Sequence, residues 1–167
     1  MKYKATLGTT SILITVFISL LLGCLIAFFV DRIMVTESLA ESIMAILVAI
    51  FLVTLYTLTY LHRPKFYLLD KDTLTICRPI KNVEIPMHEI KDAFIVRKET
   101  MMWTERVGGN GGLFGFYGEF KNSFGLTTWY ATKLKNYILI ETIEKDKFII
   151  TPDNTDMVKE IRRAIGK

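Results

Sequence analysis

Two long apolar runs open the chain, and short alternating segments follow them. Thr10 to Val30 and Ser42 to Leu61 carry no charged residue, about 21 and about 20 positions respectively. At 1.5 Å per residue either run crosses a hydrocarbon core roughly 30 Å thick. A helix facing water needs a polar stripe, and neither run has one, so both are read as transmembrane helices. Small residues recur at four-residue intervals, Ser19, Gly23 and Ala27 in the first run and Ala45 and Ala49 in the second. This is the spacing that lets membrane helices approach closely, and it predicts an antiparallel hairpin packed along those faces. A lipoprotein-like box, Leu21-Leu22-Gly23-Cys24, is the competing reading. It is outweighed because the apolar run continues past Cys24 through LIAFFV and a second span follows.

After His62 the pattern changes. Short runs rich in β-branched and aromatic residues alternate between two faces, as Leu74 and Ile76 do between Thr73, Thr75 and Cys77. Eight strands are predicted: 66–70, 73–78, 81–85, 93–99, 113–121, 126–131, 137–143 and 147–151. Asn122 to Gly125 and Lys71-Asp72 supply turn chemistry. At the C-terminus, Thr151-Pro152-Asp153 reads as a helix start, and Met157, Val158, Ile161, Ala164 and Ile165 follow at helical spacing up to Gly166. The order is strands first and one closing helix last.

Three blocks then carry a resemblance. Gly109-Asn110-Gly111-Gly112-Leu113-Phe114-Gly115-Phe116-Tyr117-Gly118, Tyr130-Ala131-Thr132-Lys133-Leu134-Lys135-Asn136 and Thr151-Pro152-Asp153 are similar to the bacterial pleckstrin-homology (PH) domain family, as is the turn from Ile85-Pro86 to Glu89-Ile90. The resemblance covers roughly residues 66 to 165. It implies a PH-like barrel of seven to eight antiparallel strands closed by one C-terminal α-helix, and a membrane location, and it implies no settled activity. The predicted organisation is therefore a two-helix anchor over 1–61, with spans at about 10–30 and 42–61, a charged hinge over 62–65, and a PH-like domain over 66–167.

Charge sets the topology. The chain has 21 basic and 17 acidic residues, a net charge of +4, and residues 1 to 61 hold three of each, so the surplus belongs to the β-rich part. Lys2 and Lys4 precede the first span and His62, Arg63 and Lys65 follow the second, which places both termini in the cytoplasm of a multi-pass cell-membrane protein. The balance is too modest to imply nucleic acid. Two cysteines, Cys24 and Cys77, give no disulfide framework.

Little in the sequence points to catalysis. The glycine-rich block lacks both GxGxxG and Gly-Lys-Ser/Thr, so it matches no phosphate-cradling template. His62 and His88 stand without a nucleophile arrangement or a metal-ligand spacing, so no enzyme, cofactor or metal is expected. Eukaryotic PH domains that bind phosphoinositides carry a basic cluster between their first two strands, where this chain has only Lys71 between Asp70 and Asp72. Two surfaces remain as candidates: a loop at Met101, Met102 and Trp103 that dips into the membrane interface, and a basic surface of Lys133, Lys135, Lys145 and Lys147. The expected partners are the lipid bilayer and another membrane or cytoplasmic protein. The expected function is a non-enzymatic interaction or scaffold module, with a lipid-surface sensor or an accessory subunit of a membrane complex as alternatives.

Overall fold

The computed structural model describes every residue from Met1 to Lys167. Strand β1 (Lys2–Lys4) leads into helix α1 (Thr9–Val35), a short connection turns the chain, and helix α2 (Leu39–His62) runs back. Both helices are long and apolar enough to cross a membrane. Ser38 caps α2, its Oγ accepting from the Glu41 amide at 3.4 Å, while Glu41 accepts from the Thr36 hydroxyl at 2.9 Å. The two helices meet where Ser19 Oγ lies 2.6 Å from the Tyr56 hydroxyl.

Ten strands form two sheets. The first has the order β1-β2-β3-β4, with β2 (Phe66–Leu69), β3 (Thr73–Cys77) and β4 (Val83–Pro86). The second has the order β5-β9-β10-β8-β7-β6. Its strands are β5 (Ile90–Val96), β6 (Glu105–Gly112), β7 (Gly115–Asn122), β8 (Gly125–Ala131), β9 (Tyr137–Thr142) and β10 (Lys147–Ile150). No pairing closes the sheets into a ring, and β10 runs parallel to β8. This corrects the expected antiparallel barrel of seven to eight strands. Two strands escaped the sequence reading. One is β1, which pairs antiparallel with β2 through Lys2↔Leu68, Tyr3↔Tyr67 and Lys4↔Phe66 although the sequence places it with the anchor. The other is β6, four of whose eight residues are glycines, which leaves too few side chains for an alternating pattern.

The second sheet is apolar on both faces. One face meets the first sheet and helix α3 (Met157–Ala164) in a core that includes Tyr67, Leu74, Ile76, Ile138, Ile150 and Ile161. Tyr67 joins the layers. Its buried hydroxyl donates to the Tyr130 carbonyl at 2.6 Å and accepts from the Thr151 amide at 3.2 Å, and burial pushes its pKa up. The other face holds Phe116, Phe120, Trp129, Tyr137 and Leu139, with the Phe120 and Trp129 ring centroids 4.6 Å apart. Helix α3 starts later than expected, after Asp156, because Thr151 and Asp153 are engaged elsewhere: Thr151 Oγ1 accepts from the Thr132 amide, and Asp153 bonds Thr6 and Lys133.

Candidate functional site at the helix and sheet junction

Because β1 and β2 are hydrogen-bonded neighbours, both helices leave the sheets at the same place. The helical hairpin is in effect a very long β1-to-β2 connection, and several contacts fix its base. Gly8 N–H donates to the Thr132 carbonyl at 2.9 Å, and the buried Ser11 hydroxyl donates to the same oxygen at 3.2 Å. Thr6 donates to the Asp153 carboxylate through its hydroxyl at 2.7 Å and its amide at 3.2 Å, and Lys133 Nζ, buried to 5% exposure, bonds the same oxygen. Burial works to raise the Asp153 pKa, but the Lys133 bond and the two Thr6 donors outweigh it and hold the carboxyl below the ordinary carboxylate range.

On the return side, the charged segment 62–65 is bonded at both ends. Ile80 N–H donates to the Leu61 carbonyl at 3.1 Å, Lys65 N–H donates to the Cys77 carbonyl at 2.9 Å, and Pro64 is buried. Four residues flanked by such bonds form a tied corner.

The glycine-rich block supplies the third attachment. Strands β6 and β7 form a hairpin whose turn, Leu113–Phe114, reaches the two helices. Phe114 N–H donates to the Thr15 hydroxyl at 2.9 Å, and its ring meets Tyr56 and Tyr60 edge-on at 5.1 and 5.3 Å. The Arg63 guanidinium lies 4.3 Å from the Tyr60 ring centroid and 5.8 Å from that of Phe114. Tyr117 donates to the Thr59 carbonyl at 2.5 Å. Phe114 sits at φ +60°, a left-handed backbone that costs a non-glycine residue roughly 1–2 kcal/mol, and these contacts hold it there. The glycines allow the close approach: a Cβ on Gly109 would lie 2.3 Å from the Tyr117 carbonyl oxygen, and one on Gly118 would lie 2.4 Å from that of Gly108. The alternation predicts a strand over 113–121 that includes Phe114, whereas Phe114 lies in the turn before β7 and docks on the helices. The signal lay in the two apolar residues between glycines at the centre of the block.

The predicted site residues fall in different places. Met101 is buried in the second core, while Met102 and Trp103 are exposed, at 70% and 87%. They adjoin the Glu105↔Lys121 end of the β6–β7 ladder, opposite the turn that meets the helices, about 23 Å away at 3.3 Å per residue. The 101–103 segment thus lies at the end of the hairpin away from the helices. The four lysines do not gather either. Lys133 is committed to Asp153, Lys135 is exposed beside it, and Lys145 and Lys147 lie beyond the other end of β9, with Lys147 donating to the Phe124 carbonyl at 2.6 Å. Of the small residues, Ala45, Ala49 and Ser19 lie on partly covered stripes of the helices, whereas Gly23 and Ala27 are exposed and a Cβ on Gly23 would meet nothing within 4 Å. The helices meet at Ser19 and Tyr56, and no neighbour approaches the Cβ position of Gly23.

Two cavities flank the junction. One, of about 530 Å³, is walled by Thr6 to Thr10, Lys98, Lys133 to Asn136 and Asp153. The other is an apolar groove of about 210 Å³ between the helices, walled by Ile18, Leu22, Leu52 and Tyr56 with Leu113 of the hairpin. No three His, Cys, Asp or Glu side chains come together as a metal-holding group.

Comparison with curated proteins and with solved structures finds no match. A family model described as a bacterial PH domain matches residues 65–164, spanning both sheets except β1, together with α3. The chain belongs to the bacterial PH domain family.

Proposed function

We propose that this chain is a membrane-anchored PH-like module that acts without catalysis, as a protein-interaction or scaffold domain on the cytoplasmic face. The two apolar helices serve as the anchor, and the basic residues at their domain-side ends orient it. The observation that carries the reading is where the exposed apolar side chains of the β-rich part lie. Met102, Trp103, Leu126 and Ile143 are exposed at turns or strand ends remote from the helices, whereas Ile80, whose amide bonds the Leu61 carbonyl, is exposed beside α2. A domain tied to its helices at three points holds that end away from the bilayer. Exposed Trp and Met directed at water rather than lipid are the side chains that protein interfaces favour.

The test is site-specific photo-crosslinking of the full chain in its native membrane, with the reactive group at Trp103 or Ile143 and, in parallel, at the lipid-facing positions Phe17 and Val53. A discrete protein adduct from the domain positions supports the module. Adducts from the helix positions alone would assign the contact to the spans, as in an accessory subunit of a membrane complex. A second reading, recognition of anionic headgroups, is favoured by the cavity that brings Lys98 and Lys135 beside the start of α1. Under that reading, association of other proteins is dispensable and lipid retained by the purified chain changes when Lys98 and Lys135 are replaced.

A further inference from the structure

We infer that the turn of the β6–β7 hairpin is itself a membrane element, seated in the hydrocarbon edge of the leaflet nearest the domain. The inference rests on the helices spanning a bilayer and goes beyond the proposed interaction role.

The first observation is depth. The Phe114 amide bonds Thr15, which lies beyond Ile12 and Leu13 along α1, about 4.5 Å past Ile12 at 1.5 Å per residue. Ile12, Leu13, Val16 and Phe17 around that level are 46–67% exposed, and on α2 Leu55 and Leu58, which precede the Thr59 that Tyr117 reaches, are 46% and 42% exposed. Such a girdle of aliphatic and aromatic side chains has lipid as its only fitting solvent. A turn packed on the helices at the same level meets that solvent too.

The second observation is the chemistry of the turn. Irregular backbone at membrane depth is tolerated only where its polar groups find partners, and three groups of this turn have them. Phe114 N–H is taken by Thr15, and the Leu113 and Gly115 carbonyls both accept from Asn110 Nδ2, the latter at 2.6 Å. The exposed remainder is apolar: Leu113 is half-buried and extends the wall of the groove between α1 and α2. From Gly108 to Gly112 the strand leading to the turn carries only one side chain, Asn110, and that one seals the turn. The occupant of the groove beside Leu113 is therefore an acyl chain.

The experiment places single spin labels in the full chain, reconstituted in vesicles, with Cys24 replaced by Ser and the buried Cys77 by Ala. The labelled variants are Leu113→Cys, Phe17→Cys and Trp103→Cys, read by collision with oxygen and with a water-soluble nickel chelate. Leu113→Cys is expected to match Phe17→Cys, with oxygen access dominating, and Trp103→Cys to show the reverse. Nickel access at position 113 with Phe17→Cys still shielded would overturn the inference alone. Nickel access at position 17 as well would overturn the spanning helices on which it rests. Because a label can undock the hairpin, Leu113→Trp in a Trp103→Phe background provides a second reading. Brominated acyl chains should quench its emission at least twofold more than that of the Trp103→Phe parent, and equal quenching in both, together with nickel access, defeats the inference.

Discussion

Lys4 and Phe66 face each other as antiparallel partners at the junction, although both long helices lie between them in the chain. The pairing makes β1 the outer strand of the first sheet, with Tyr3 and Ala5 against its core. It also ties the N-terminus to the β-rich domain, since Met1 and Leu69 are bonded and Lys4 accepts from the Asp153 amide at 2.9 Å.

A helix-free chain in which residues 1–8 are joined to 63–167 through a long Gly-Ser linker should therefore be more stable than residues 63–167 alone. The gain expected from Tyr3 and Ala5 burial and the restored ladder is about 2 kcal/mol, read as a shift in the urea midpoint. Equal midpoints would mean that β1 adds nothing to the domain.

Phe114 concentrates the docking of the hairpin, being buried among Tyr56, Tyr60 and Arg63. Phe114→Ala should cost about 3 kcal/mol in thermal unfolding of the full chain in detergent and expose β6–β7 to proteolysis. Phe114→Gly loses the same ring but relieves the left-handed backbone, so it should be milder than the alanine variant by about 1 kcal/mol. If the two variants rank the other way, the conformational cost assigned to Phe114 is incorrect.

The glycines of the block are not equivalent. Gly118 has φ +117° and no room for a Cβ, whereas Gly108 has open space and an ordinary backbone. Gly118→Ala is expected to destabilise by about 2 kcal/mol or more, and Gly108→Ala to stay within about 0.5 kcal/mol of the parent. Melting temperatures of the two variants check this directly. Gly23→Leu should leave crosslinking between α1 and α2 unchanged, since the space around Gly23 is open.

The Asp153 cluster gives the junction a pH dependence. Its carboxyl titrates lower in the folded protein than in the unfolded chain, so the unfolded state binds the proton first. The stabilisation is complete above about pH 4, the ordinary range, and is lost as pH falls through the lower folded value. Asp153→Asn should flatten this acid limb and, by leaving the buried Lys133 ammonium without its partner, cost about 1–3 kcal/mol at neutral pH. Denaturation across pH 3 to 7, conditions chosen around about the carboxylate range, compares the two proteins, and parallel curves would remove Asp153 from the account.

What the sequence determined by itself is what local patterning encodes. The two helices follow from uninterrupted apolar composition, eight of the ten strands from alternation of β-branched and aromatic residues, and the end of α3 from Gly166 at φ +77°. The glycine-rich block also marked the family. Tertiary structure alone decided the rest. Three residues before a helix carry no periodicity, so β1 becomes a strand only because β2 offers it an edge. β6 lacks the side chains that announce a strand, and its pairing with β7 defines it. Thr151 and Asp153 have the chemistry of a helix start, yet Thr132, Thr6 and Lys133 compete for them and displace α3 to Met157. In the helices, spacing singled out Gly23, but which face meets the partner depends on how each helix is rotated, and that is set by the contacts of Ser19 with Tyr56 and of Phe114 with Thr15.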